Sequence, residues 1–253
     1  VLVDLVADGP HAVVGGTTGS GKSELLVTWI AAMAAGASPG ELAFLLVDFK
    51  GGAGFAPVAD LPHVVGVVTD LDSAAALRAV GSLRAEVRRR ETAIAAAGLR
   101  EHGPASGLPR LVIVVDEYAA LVETDPELHA LFGDLAARGR SLGVHLVVGT
   151  QRPSASVRDA VLANADLRVS LRVRDRADGM ALVGSAAPAE LPAEPRGRAV
   201  ASIGGRAPEH LQVAIASAED IAAIRRRWDA APRPRRPWRD PLPSRIAPHE
   251  LAG

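Results

Sequence analysis

The sequence contains no cysteine. That absence excludes a disulfide scaffold, a thiolate-ligated zinc site and a cysteine nucleophile. Aromatic residues make up only 3% of the 253 positions. Lysine is nearly missing too: of 28 basic residues only Lys22 and Lys50 are lysine, and the rest are arginine. Against that background each retained lysine raises a functional question. The net charge is −1, which rules out a globally basic nucleic-acid binder but not a local basic track. No apolar run approaches the roughly 18–20 residues of a membrane span. Asp4 and Asp8 interrupt the first apolar stretch and no basic segment precedes it, so it does not read as a secretory signal. On these grounds the chain reads as soluble and intracellular, with length enough for one large domain and a buried core.

What is present is an alternation. Short runs rich in β-branched residues occur at 11–15, 43–48, 64–68, 111–115, 144–149 and 167–173, several of them apolar at nearly every position. Strands covered on both faces have that character. Between them the spacing predicts helices over 22–35, 72–97, 125–139, 156–163 and 176–182. In the longest, Leu77, Val80, Leu83, Val87 and Ile94 fall near helical spacing, and Gly98 is the expected stop. Strand–helix alternation of this kind predicts a parallel sheet with crossover helices, hence a doubly wound α/β core. Residues 198–203, Gly204-Gly205 and 210–215 read as a late β-hairpin, and 218–228 as a short helix. Six prolines in the 17 residues 232–248 forbid regular structure there. The expected division is a domain over 1–230 and a Pro/Arg-rich tail or linker over 231–253.

Residues 16–23, Gly-Thr-Thr-Gly-Ser-Gly-Lys-Ser, fit the phosphate-loop pattern G-x-x-x-x-G-K-[ST] in full, between a strand and a helix. Gly16, Gly19 and Gly21 let backbone N–H groups turn toward a phosphate without Cβ clashes. Thr17, Thr18, Ser20 and Glu24 belong to the same nucleotide-binding stretch. The helix N-terminus that follows favours an anion. Lys22 reaches the β- and γ-phosphates and the Ser23 hydroxyl ligates Mg²⁺. Asp116, closing the run Leu-Val-Ile-Val-Val-Asp-Glu, is placed to hold the magnesium shell, and Glu117 to polarise the attacking water. Gln151, at the tip of another strand, is a candidate γ-phosphate sensor, with Thr150 as its alternative; a plain polar turn is the other reading. Arg138 and Arg140 close a predicted helix. They either complement its dipole or supply transition-state charge stabilisation to a neighbouring subunit. The single asparagine, Asn164, is followed by Ala165, so the guanine-reading Asn-Lys-x-Asp motif is absent and ATP is the expected nucleotide.

With these residues in hand the sequence resembles the FtsK/SpoIIIE ATPase family. The resemblance rests on GGTTGSGKSE (15–24), LLVDFKGGAGF (45–55), DLPHVVGVVTDLD (60–72), LVIVVDEYAAL (111–121) and RGRSLGVHLVVGTQRPS (138–154). It implies a P-loop NTPase fold of the RecA-like kind, a mostly parallel sheet with helices on both faces, and work as a hexameric ring. It also implies ATP and Mg²⁺ as cofactors. Asp48-Phe49-Lys50-Gly51-Gly52 is more similar to the type VII secretion branch than to DNA pumps, which usually carry Asp-Pro-Lys. The Pro237-Trp238 tail resembles a linker between ATPase modules. The branch implies partners that are copies of itself or adjacent modules, a secreted protein as cargo, and a cytoplasmic-face location with the parent protein anchored at the bacterial inner membrane through other parts. By resemblance the trans-acting arginine falls in 138–140, with Arg140 favoured over Arg138. Lys50 is left between a contact near the nucleotide and a plain loop lysine.

Two alternatives stand beside this reading. A double-stranded DNA translocase would use the arginine runs 88–90, 225–227 and 233–236, which otherwise read as a solvated helix face and a charged linker. A non-hydrolysing nucleotide-binding module, regulatory or substrate-receiving, would bind ATP without turning it over.

Overall fold

The computed structural model describes residues 3–48, 53–69, 73–119, 126–151, 153 and 160–237. Eight strands form one sheet: β1 (His11–Gly15), β2 (Leu42–Val47), β3 (Val64–Val68), β4 (Arg110–Val115), β5 (Val144–Thr150), β6 (Leu167–Leu171), β7 (Arg198–Ile203) and β8 (Glu209–Gln212). Their order is β3-β2-β4-β5-β1-β6-β7-β8. Strands β3 to β6 in that order are all parallel, and β7 and β8 add an antiparallel hairpin at one edge. The strands β1, β2, β4 and β5 are apolar on both faces because both faces are covered.

The covering helices are α1 (Lys22–Gly36), α2 (Ser73–Ala96), α3 (Pro126–Leu142), α4 (Ala160–Ala163), α5 (Arg176–Val183) and α6 (Ala218–Trp228). Val13, Leu45, Ile113 and Val148 pack on one side against Leu83 and Val87 of α2, Phe132 and Leu135 of α3 and Leu182 of α5. Ala12, Val14, Phe44, Val112 and Val147 pack on the other against Leu26 and Ile30 of α1 and Ile221 of α6. This is the doubly wound α/β arrangement expected from the alternation, and β1, where the chain order switches direction, sits between β5 and β6. Trp228 Nε1 donates to Ala34 O at 2.9 Å, so α6 is pinned over α1. Ser217 and Asp220 form a reciprocal capping box at its start.

The structure moves some expected boundaries, each for a physical reason. Helix α3 does not stop at Gly139 but runs to Leu142, with Gly143 in the left-handed conformation (φ 66°). Gly139 is a place of close approach: a Cβ there would lie 2.5 Å from Val144 O and 3.1 Å from His11 Cε1. Strand β6 stops at Leu171, and the next carbonyl, Arg172 O, accepts from Thr17 N–H instead. Strand β8 ends at Gln212, so Val213 and Ile215 leave the ladder. Gly204 and Gly205 both have positive φ, and Arg206 N–H donates back to Ile203 O at 3.0 Å, a tight hairpin turn. Residues 156–159 of the expected 156–163 helix lie outside the described residues; Ala160–Ala163 is helix.

Of the run 88–90, Arg88 is exposed as a solvated face requires, but Arg90 is not. Arg90 is 1% exposed and lies on the same stripe as Leu83, Val87 and Ile94. Its guanidinium donates to Glu86 Oε1 (2.8 Å), Leu142 O (3.0 Å) and Pro109 O (2.8 Å). Arg89 is likewise tied to Glu86, at 2.7 Å. Pro232–Pro237 carries no regular element and lies in a cleft with Pro39, Gly40, Val65 and Leu111, where Arg236 Nε donates to Val65 O at 3.2 Å. Among the described residues no helix is long and apolar enough to cross a membrane.

Candidate nucleotide site

The site lies at the C-terminal ends of the central strands. Strand β1 ends at Gly15, the chain turns through 16–21, and α1 begins at Lys22. Gly19 (φ 78°) and Gly21 (φ 102°) hold conformations that only glycine adopts readily. The loop hangs between the tips of the two flanking strands: Gly16 N–H donates to Thr150 O (3.2 Å) and Thr17 N–H to Arg172 O (3.0 Å). Thr17 Oγ1 also donates to Arg172 O, at 3.1 Å. Such anchoring fixes the loop before any ligand arrives, and its geometry costs little on binding.

Lys22 is buried, and its Nζ donates to Asp116 O and, at 2.5 Å, to Asp116 Oδ1. Ser23 Oγ donates to Asp116 Oδ2 at 3.1 Å. The bare backbone of Gly149 makes room for this: a Cβ there would stand 2.6 Å from Asp116 O and 3.0 Å from Lys22 Nζ. Glu117 is buried, and its Oε1 accepts the Gln151 N–H at 3.3 Å. The Gln151 side chain meets the loop, with Thr18 Oγ1 donating to its Oε1 at 2.9 Å. Thr150 is buried just before it. Thus Gly16–Ser23, Asp116, Glu117 and Gln151 come from three separate segments to one place. Glu24 is exposed on the first turn of α1 and lines the same cavity.

Arg138 and Arg140 are not brought to this place within the chain. Strands β1 and β5 run parallel with Gly15 opposite Thr150, so the loop lies at the Thr150 end. The two arginines close α3 just before Val144, at the other end of β5. The separation along the strand is roughly 20 Å. Arg138 pairs with Asp134 (2.5 Å) and Glu91 (2.6 Å), while Arg140 is exposed. Lys50 lies outside the described residues.

Sequence reasoning gave no role to Asp48, and the structure places it in the site. Asp48 follows β2, is 1% exposed, and accepts the Gly54 N–H at 3.1 Å. Asp48 Oδ2 and Asp116 Oδ2 each lie 3.3 Å from where a Cβ on Gly54 would stand. The only earlier signal was its position after an apolar run, at the tip of a predicted strand, the same signal that flagged Asp116. Arg196, Gly197, Val213 and Ile215 were missed altogether, since nothing in their local sequence marks a ligand. With the phosphate loop they line a cavity of about 720 Å³, a volume in the range of small-molecule sites.

The donor set suits a nucleotide with a hard divalent cation. Ser23 Oγ, Asp116 and Asp48 present oxygen alone, the preference of Mg²⁺, which keeps several waters and phosphate oxygens as its other ligands. Among the described residues no cluster of three His, Cys, Asp or Glu could hold a metal by itself.

The FtsK/SpoIIIE family model matches residues 1–107. The type VII secretion system protein EssC of Staphylococcus aureus is 39% identical over 182 residues, 68% of this chain. The chain spans 12% of the length of that relative. The cytoplasmic domain of the Thermomonospora curvata type VII secretion ATPase EccC superposes with a TM-score of 0.84 at 31% identity, over 93% of this chain and 30% of that one. ATPases 2 and 3 of the same EccC, in complex with a signal sequence peptide, superpose with a TM-score of 0.75 at 25% identity, over 97% of this chain and 46% of that one. With a complete phosphate loop, a strand-end Asp-Glu pair beside it and these likenesses, the chain belongs to the FtsK/SpoIIIE family and is an ATPase domain of it.

Proposed function

We propose that this ATPase domain binds and hydrolyses Mg·ATP as a motor module of a type VII-like secretion ATPase, driving protein export at the cytoplasmic face of the bacterial inner membrane. The reading is carried by one observation: Lys22 and Ser23 meet Asp116 at hydrogen-bond distance, with Glu117 and Gln151 beside them. In this reading residues 1–230 are the catalytic domain and 231–253 a tail or linker toward a neighbouring module.

The residues divide the work. Backbone N–H groups of the loop and the α1 N-terminus hold the phosphates. Lys22 exchanges its bonds to Asp116 for the β- and γ-phosphates, which leaves Asp116 and Ser23 as the residues that would hold Mg²⁺. The cation would supply charge neutralisation on the phosphates. Glu117 takes a proton from the attacking water, and Gln151 orients that water or senses the γ-phosphate. Thr18 and Glu117 hold Gln151 from two sides, by side chain and by backbone. A neighbouring subunit or module supplies a positive charge, with Arg140 favoured because Arg138 is already engaged by two carboxylates. The cargo is a secreted protein, in keeping with the signal-peptide complex of EccC. The DNA-translocase alternative loses support from Arg90, whose guanidinium is buried among fixed acceptors and cannot meet a phosphate backbone.

The test is steady-state ATP hydrolysis over a wide range of protein concentration, with and without double-stranded DNA. The expected result is turnover that rises with protein concentration and ignores DNA. It falls by at least about 10³-fold in Lys22→Ala and Glu117→Gln, comparable to losing a major transition-state contact. Strong stimulation by DNA would move the assignment to a translocase. Tight ATP binding without turnover at any concentration, even with adjoining modules added, would make the chain a binding module.

A further inference from the structure

A separate cavity of about 370 Å³ opens on the β6 side of the phosphate loop. It shares Thr17, Thr18 and Gln151 with the nucleotide cavity. Gln151 N–H donates to Glu117 Oε1, so this shared border is the end where a third phosphate and its attacking water would stand. Beyond the border the cavity is lined by two cations, Arg172 and Arg174.

Arg172 is the first residue past β6. Its carbonyl accepts Thr17 N–H at 3.0 Å and Thr17 Oγ1 at 3.1 Å, so its main chain is tied to the start of the phosphate loop. The next residue, Val173, is buried, and its N–H donates to Pro188 O at 3.3 Å. The backbone is thus held on both sides, while the side chain is left over. The Arg172 guanidinium is half-buried and makes no hydrogen bond or ion pair among the described residues. Arg176 and Arg196 differ: each has a carboxylate, Glu190 at 2.6 Å and Glu194 at 3.2 Å. The cavity's own carboxylates, Asp175 and Asp178, do not take that part for Arg172. They open α5, with Asp178 N–H donating to Asp175 O at 3.1 Å, where negative charge complements the helix dipole.

We propose that Arg172 is a cation supplied in cis to the γ-phosphate, and that it lets the chain tell ATP from ADP. The proposal rests on the nucleotide-site assignment above and adds a residue to it. A planar guanidinium presents a fork of donors that matches two phosphate oxygens. Lys22 serves the β- and γ-phosphates alike, so it is a poor discriminator between them. Lys22 follows the loop and Arg172 holds its start, so the two cations close on the terminal phosphate from different sides. Arg140 cannot do this within the chain, because it stands roughly 20 Å away along the strand.

The experiment is calorimetric titration of the whole chain by ATP and by ADP, with Mg²⁺ present, in a Glu117→Gln background that does not consume the ligand. Arg172→Met removes the charge and keeps the apolar stem. Expected is a loss of about ten- to fiftyfold in ATP affinity, the scale of one charge-assisted hydrogen bond, with ADP affinity held within about twofold. Arg172→Lys keeps part of the preference for ATP. Arg174→Met, exposed and further along the chain from the loop, moves the ratio less than Arg172→Met. The effect is the same at low and high protein concentration, since the cation belongs to the protomer that holds the nucleotide. The proposal is overturned if Arg172→Met weakens ATP and ADP equally, the sign of a general field. It is overturned as well if the ratio stays intact, if Arg174→Met has the larger effect, or if the loss appears only at high concentration, which would place Arg172 in a neighbour's site. If the Glu117→Gln chain with both arginines intact binds neither ATP nor ADP, the nucleotide-site assignment itself fails and takes the role of Arg172 with it.

Discussion

The two ends of the sheet both bury charge, and they do so differently. At the N-terminal end of the strands, Arg90 is closed in by Glu86 and by the carbonyls of Pro109, Leu142 and Gly143. His11 and His145 are buried nearby, each bonded to a backbone carbonyl. At the C-terminal end, Lys22 is as deeply buried as a lysine usually gets, but its partner Asp116 lines an open cavity. Arg90 has fixed acceptors on several sides and serves as a strut. Lys22 has one exchangeable partner and is poised to trade it for a phosphate. Burial alone does not tell the two apart; the number of backbone acceptors around the cation does.

The sharpest way to break that contrast is to remove each cation. Arg90→Met leaves three carbonyls without their donor and Glu86 with Arg89 alone, and should cost about 3–5 kcal/mol of stability. Lys22→Met should cost clearly less, because Asp116 keeps the Ser23 hydroxyl and faces the cavity. Urea unfolding of both variants checks this; equal losses would erase the distinction.

Acidification probes the same end. Burial pushes His11 and His145 each down from the ordinary 6.5 to about 4. Both are therefore neutral in the fold and protonated more readily once unfolded. The stability they support is full above about pH 6.5 and declines as the pH falls toward 4, by up to a few kcal/mol for the pair. Unfolding midpoints at pH 7.5 and 5 should show the drop, and His145→Gln should flatten it.

A smaller effect separates the acids of the nucleotide end. Asp48→Asn keeps an acceptor for the Gly54 N–H but removes a charge beside Asp116. The Mg²⁺ concentration for half-maximal hydrolysis should rise about tenfold, in line with losing one nearby anion in a partly screened site. Tripolyphosphate binding without Mg²⁺ should not weaken. An unchanged Mg²⁺ requirement would reduce Asp48 to a turn-forming residue.

These comparisons also show what a single sequence displays. The phosphate loop is legible because its chemistry is local: eight contiguous residues carry both the turn and the charge. The sheet is legible because two-sided burial leaves unbroken β-branched runs. Arg90 is misread because it sits among three arginines of identical composition. The helical spacing of Leu83, Val87 and Ile94 leaves a gap at position 90, and that gap was the available signal. Gly139 looks like a helix stop because the usual reason for glycine in a helix is its end. Here the reason is a tertiary contact that no local pattern encodes. The cavity wall beside the phosphate loop is the least legible, since Arg196 and Ile215 reach it from either side of a hairpin and carry no motif. Lys50, singled out for its rarity, lies outside the described residues and gains no role.

Gly139 has a consequence of azimuth. Its bare Cα locks α3 against β5, which fixes the rotation of the helix about its own axis. Its neighbours Arg138 and Arg140, two residues apart, then point about 200° away from each other. One flat neighbouring surface can meet one of them and not both. Arg138 already faces Glu91 on α2, so the direction left open to another body belongs to Arg140. A glycine packed inside the fold thereby sets the direction in which Arg140 is presented.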